Sequence, residues 1–161
     1  MSVIQSITAA ARRRDFNLGV LNGVLFGGVD TLFDPSLVLV TFASFLTDSP
    51  ILLGLVYPMS QAGWFLPQLW VSGWFQSKPT ALPIYRVMAV IRTICLVLLA
   101  LTAYAVKDKG WQLLLFFTLL MANQLAAGFS GLSFMDVVAK VVPPGQRGLF
   151  FAWRLSLGSL L

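Results

Sequence analysis

Apolar residues come in long runs separated by short polar breaks over almost the whole chain. The first run extends from Asn17 to Leu46, the second from Pro50 to Phe75, the third from Leu82 to Val106 and the fourth from Trp111 to Met135; a fifth begins at Gly148 and is still open at Leu161. At about 1.5 Å of helical rise per residue, each of the first four exceeds the roughly 30 Å hydrocarbon thickness of a bilayer, whereas the last does not. The breaks at Thr47-Asp48-Ser49, Gln76 to Ala81 and Lys107 to Gly110 are too short for anything but returning the chain as an antiparallel neighbour. The pattern predicts an all-α membrane protein: a polytopic helix bundle with four complete spans and the start of a fifth. Its transmembrane domain covers residues 16–161 and follows a cytoplasmic segment over 1–15. A helix left open at Leu161 reads as a fragment of a longer chain.

Composition agrees and narrows the chemistry. Hydrophobic residues make up 58% of the chain and charged residues 11%, too few charges for the water-exposed surface of a soluble domain. There is no His and no Glu, which excludes histidine metal sites, Ser-His-Asp hydrolysis and paired glutamates. The single Cys95 lies in an apolar run, as a small buried hydrophobe. No catalytic residue, metal site or cofactor is expected, and the chain does not read as an enzyme.

The net charge of +5 is not a nucleic-acid signal, because the eleven basic residues lie mostly between apolar runs rather than along one stripe. The expected partner is the lipid bilayer. Arg13-Arg14-Asp15-Phe16 loosely resembles a twin-arginine export signal, but no small-residue cleavage pattern follows it; Arg12, Arg13 and Arg14 read as a topological anchor. Arg12, Arg13, Arg14, Lys78, Arg86, Lys140 and Arg147 fall on one side of the spans, and Lys107 and Lys109 on the other. Cytoplasmic connections retain basic residues, so the amino terminus is expected inside. Trp70, Trp74 and Trp111 sit where aromatic belts are expected.

Polar groups within the runs carry the candidate chemistry. Gly19, Gly23, Gly27, Asp30 and Asp34 fall within about 80° of one another on an ideal helix, a single stripe. The glycines allow close approach of another helix, and the carboxylates require protein or trapped water around them. Pro35 removes the donor that would bond the Thr31 carbonyl, predicting a kink or local opening beside the two acids. Desolvation and mutual repulsion oppose ionising both acids at once, which would let one bind and release a proton. The alternative is that they pair with Arg92, Arg154 or another cation and fix helix packing. In the fourth run Asn123 and Gln124 either touch a solute or bond a neighbouring helix. The third run is greasy apart from Arg92, which either snorkels to the inner interface or meets an acid of the first span. Pro58 and Pro67 predict bends in the second, with Gln61 and Gln68 supplying bonds to the backbone groups those prolines release.

Small-residue, polar first and fourth spans beside a greasy third make the chain resemble the amino-terminal half of a major facilitator superfamily transporter. The segment Asp136-Val137-Val138-Ala139-Lys140-Val141-Val142-Pro143-Pro144-Gly145-Gln146-Arg147-Gly148 is similar to that family's cytoplasmic link between helices four and five. The resemblance implies that Asp136 and Arg147 belong to a charge network at the inner gate; the other reading is an interfacial cap and anchor. The stretch from Leu46 to Gln68 resembles a prokaryotic branch of the superfamily, which implies a plasma-membrane location. One departure concerns the signature between helices two and three, where Ser77 stands in place of the expected acid.

The resemblance implies secondary active transport of an unidentified small solute by alternating access, with a missing carboxy-terminal half as partner. Asp30 and Asp34 are then the candidates for proton coupling, and Asn123 and Gln124 line the facing wall. The alternative is a small non-catalytic membrane scaffold or subunit that associates along the Gly19, Gly23, Gly27 stripe.

Overall fold

In the computed structural model the described residues are 9–75 and 81–158, with side chains described for 14–69 and 81–158. Among them there are six α-helices and no strand: α1 (Ala9–Leu32), α2 (Val38–Ser44), α3 (Pro50–Phe75), α4 (Leu82–Ala105), α5 (Lys109–Val141) and α6 (Arg147–Gly158), with a 3-10 turn at Pro144–Gln146. Ser77 and Lys78 lie outside the described residues.

The first apolar run is not one helix. The last α1 bond runs from Phe33 N–H to Val29 O at 3.0 Å, and the chain then turns before α2. Pro35 has no N–H to continue the ladder and its ring crowds the carbonyl four residues back. The Asp34 side chain completes the break: its Oδ1 accepts from Ser36 N–H (2.9 Å), Ser36 Oγ–H (2.6 Å) and Leu37 N–H (2.8 Å). A short acid that bonds the backbone just ahead favours a turn over a helix interior. At the other end α1 reaches back to Ala9, so residues 9–15 are helical.

The other helix ends are built from local chemistry. Pro50 opens α3, at a first-turn position where a missing N–H costs nothing. Asp108 caps α5, its Oδ1 accepting from Trp111 N–H at 2.9 Å. Only three residues, 106–108, separate α4 from α5. Gln112, in α5's first turn, donates Nε2–H to Thr102 O and Ala103 O, both at 3.3 Å, adding a second donor to Thr102 O, which already accepts from Val106 N–H at 3.1 Å, and tying α5 to the last turn of α4. Pro58 and Pro67 sit inside α3. Gln68 Nε2 donates to Trp64 O at 3.2 Å, one residue beyond the carbonyl that Pro67 deprives of its donor.

Two compact units emerge, Asp34–Val137 and a second formed by Met1–Phe33 with Val138–Leu161. In the first, α5 is the buried helix and α4 the exposed one: 39% of α5's most apolar stretch is buried against 17% for α4. Val87, Val90, Ile94, Val97 and Leu101 of α4 are all more than half exposed, while Arg92, Cys95 and Leu99 are buried. In the second unit α1 packs on α6.

Candidate functional site

Within the α1/α6 unit the glycine stripe receives a matching stripe. Gly19 faces the Phe150 ring, Gly23 faces the Arg154 side chain and Gly27 faces the Gly158 backbone. Both series step by four in the same direction, so the helices run parallel and meet once per turn. A Cβ at Gly19 would lie 2.7 Å from Phe150 Cε2, one at Gly23 would strike Arg154 Cγ, and one at Gly27 would lie 3.2 Å from Gly158 Cα. Phe150 is buried and stacks edge-on with Phe16, ring centres 5.4 Å apart.

Arg154 is thereby held against α1. Its Nη1–H donates to Gly19 O at 3.3 Å and Asn22 Oδ1 at 3.5 Å, and its guanidinium lies 5.9 Å from the Phe26 ring centre, within reach of a cation–π attraction. These contacts tie it into the seam by neutral groups about one to three turns before Asp30. The five-residue stripe divides accordingly. Gly19, Gly23 and Gly27 pack on α6, Asp30 is an exposed residue of α1's last turn, and Asp34 lies past the helix end as a turn cap. The expectation of two acids one helical turn apart fails because the helix stops between them.

Arg147 also occupies a helix end. Its Nε–H donates to Val142 O at 3.1 Å and its Nη2–H to Ala139 O at 2.8 Å. A cation over the last carbonyls complements the negative end of the helix dipole, so Arg147 caps the end of α5. Asp136 lies half-buried near the end of α5.

In the other unit the buried face of α5 is polar over its middle. Asn123 is 9% exposed and Ser130 3%. Seven residues separate them, two turns on the same face. Among the described residues neither Asn123 Oδ1 nor Ser130 Oγ has a hydrogen-bond partner. Ser133, also buried, donates to its own helix at Phe129 O, 2.9 Å away. Gln124 does not share this face: its Cβ stands 2.7 Å from where a Gly63 Cβ would be, against α3. Adjacent helical residues point about 100° apart, so the two amides leave α5 in different directions. Arg92 is 8% exposed, on the face of α4 that carries Cys95 and Leu99.

Sequence reasoning missed the α3/α5 seam. A Cβ at Gly128 would strike the Trp64 carbonyl oxygen, and one at Gly131 would come within 3.0 Å of the Trp64 ring. The proximity of Trp64 and Pro67 to a glycine pair on a helix more than sixty residues later carries no local signal. Gln112 was missed too, although a Gln just inside a helix that follows a three-residue connection is the signal that finds it.

This is a helical protein in which two helices, α4 and α5, are long and apolar enough to cross a membrane. Compared with known proteins, the chain matches no family model, no curated protein and no solved structure.

Proposed function

We propose that this chain is the amino-terminal part of a secondary active transporter, moving a small solute by alternating access in a fold like that of the major facilitator superfamily. In this reading α1 with α2, α3, α4 and α5 are four spans, α6 begins a fifth, the amino terminus is cytoplasmic, and a longer protein supplies the second half. The observation that carries the reading is the middle of α5, where Asn123 Oδ1 and Ser130 Oγ are buried without partners among the described residues. Each such atom costs about 1–3 kcal/mol. A membrane helix retains that cost where water or a solute reaches the groups during a working cycle.

The break at Asp34-Pro35 adds support, because non-helical backbone at membrane depth is tolerated only against protein or water, and broken helices of this kind form solute sites in carriers. In this reading proton coupling falls to Asp30 in the last turn of α1, while Asp34 holds the helix break open as a turn cap. The scaffold reading loses its surface, since the glycine stripe it would use is covered by α6 of the same chain.

The test is gradient-driven uptake of a panel of radiolabelled small solutes into vesicles holding the full-length protein. For a transported member, Asp30→Asn and Asn123→Leu should each reduce uptake at least tenfold with membrane insertion intact. Uptake unchanged in both would contradict the assignment.

A further inference from the structure

Beside the glycine seam, α1 and α6 leave an apolar groove of about 600 Å³. Val20, Leu21 and Val24 line it from α1 and Trp153 and Leu157 from α6, with Asn17 as its one polar lining residue. Leu21 is 54% exposed and Trp153 51%. From Asn17 to Val24 the groove runs about 10 Å along the helix, most of the roughly 15 Å hydrocarbon depth of one leaflet.

The two ends of the groove differ in charge. Beyond Asn17, less than one turn toward the amino terminus, stands Arg14, with Arg12 and Arg13 before it in the sequence. The Arg14 side chain is 72% exposed and rests on the Asp15 carboxylate at 3.4 Å, a surface pair of the kind that contributes little and is readily exchanged. Because the helices run parallel with Gly19 opposite Phe150, Arg147 opens α6 at this same end. The opposite end, at Val24 and Leu157, has no charged lining residue. A slot of leaflet depth, apolar along its length and basic at one mouth, is complementary to a lipid with an anionic head.

We propose that the α1/α6 groove holds an anionic phospholipid of the cytoplasmic leaflet, one acyl chain lying along Val20, Leu21, Val24 and Trp153 and its phosphate taken by Arg14. The site rests on the reading of α1 as a helix that enters the membrane from the cytoplasmic face. It gives that face a lipid dependence in addition to any transported solute.

The test uses the full chain in vesicles of equimolar phosphatidylglycerol and phosphatidylcholine, followed by mild detergent extraction and a count of retained lipids by native mass spectrometry. Phosphatidylglycerol should be retained over phosphatidylcholine by about fivefold, the effect of one basic residue at a membrane surface. Arg14→Gln, a change at an exposed position, should equalise the two, and Val24→Trp should fill the slot and lower retention of both. Equal retention by the unaltered chain overturns the site, as does full retention by Val24→Trp. Weak retention of both lipids, with copies of the chain cross-linking through a cysteine at Leu21, assigns the groove to a protein helix and overturns it as well. If the chain does not float with the vesicles at all, the membrane reading fails and the site with it, an outcome distinct from insertion without lipid preference.

Discussion

The α1/α6 seam and the α3/α5 seam both depend on glycines, but those glycines meet different kinds of atom. Gly23 lies against the aliphatic stem of Arg154, the flexible part of a long side chain, whereas Gly128 lies against the Trp64 carbonyl, part of a helix backbone. A side chain can swing away from an added methyl group; a backbone carbonyl moves only if its whole helix moves. The same residue type at similar spacing therefore gives one seam that can adjust and one that cannot. The rigid seam belongs to the unit holding Asn123 and Ser130, and a fixed α3/α5 pair keeps those polar groups in place.

Substitutions can separate the two cases. Gly128→Leu should have the largest effect, about 3 kcal/mol or more of lost stability, at the upper end of overpacking costs. Unfolding by denaturing detergent of the protein purified in mild micelles would measure it, and removing the indole with Trp64→Ala should not restore stability, since the clash is with backbone. Gly23→Leu should cost about 1–3 kcal/mol. Here Arg154→Ala in the same chain should recover most of the loss, and a double-mutant cycle reads that coupling directly. Equal rescue in both seams, or in neither, would break the comparison.

Smaller effects belong to the connections. Asp108→Ala removes the α5 cap and should cost about 1 kcal/mol, with Asp108→Asn nearly neutral because Asn caps as well as Asp does. Gln112→Leu should cost about 0.6 kcal/mol, the average for a side-chain hydrogen bond between membrane helices. Hydrogen exchange at the amides of residues 103–112 would register both changes locally if the α4/α5 connection is what they hold.

Much of the helix content is legible in the sequence, because long apolar runs are bounded by residues with a definite end chemistry. Pro50 and Phe75 bound both the run and α3, and Asp108 marks the start of α5. The break at Pro35 was legible as a missing donor, but its width was not. How far the helix retreats depends on Asp34 turning its carboxylate onto Ser36 and Leu37, a side-chain conformation that residue type allows without requiring. The glycine stripe was legible as a contact face, and its partner was not, because α6 lies more than a hundred residues on. A trace of it exists in Phe150, Arg154 and Gly158, which repeat the four-residue step. The sequence left Arg92 open between two environments; the structure places it on the buried face of α4 shared with Cys95 and Leu99, a matter of helix rotation that depth along the helix does not give.

The central claim is that the buried polar face of α5 opens to an aqueous path through the membrane. Cysteine accessibility tests it most directly, in the full-length protein with Cys95→Ser to remove the native thiol. Asn123→Cys and Ser130→Cys should react with a membrane-impermeant thiol reagent at rates at least tenfold above Leu125→Cys, and from one side of the membrane at a time. Reaction at position 123 no faster than at position 125, in a protein that inserts normally, would contradict the account.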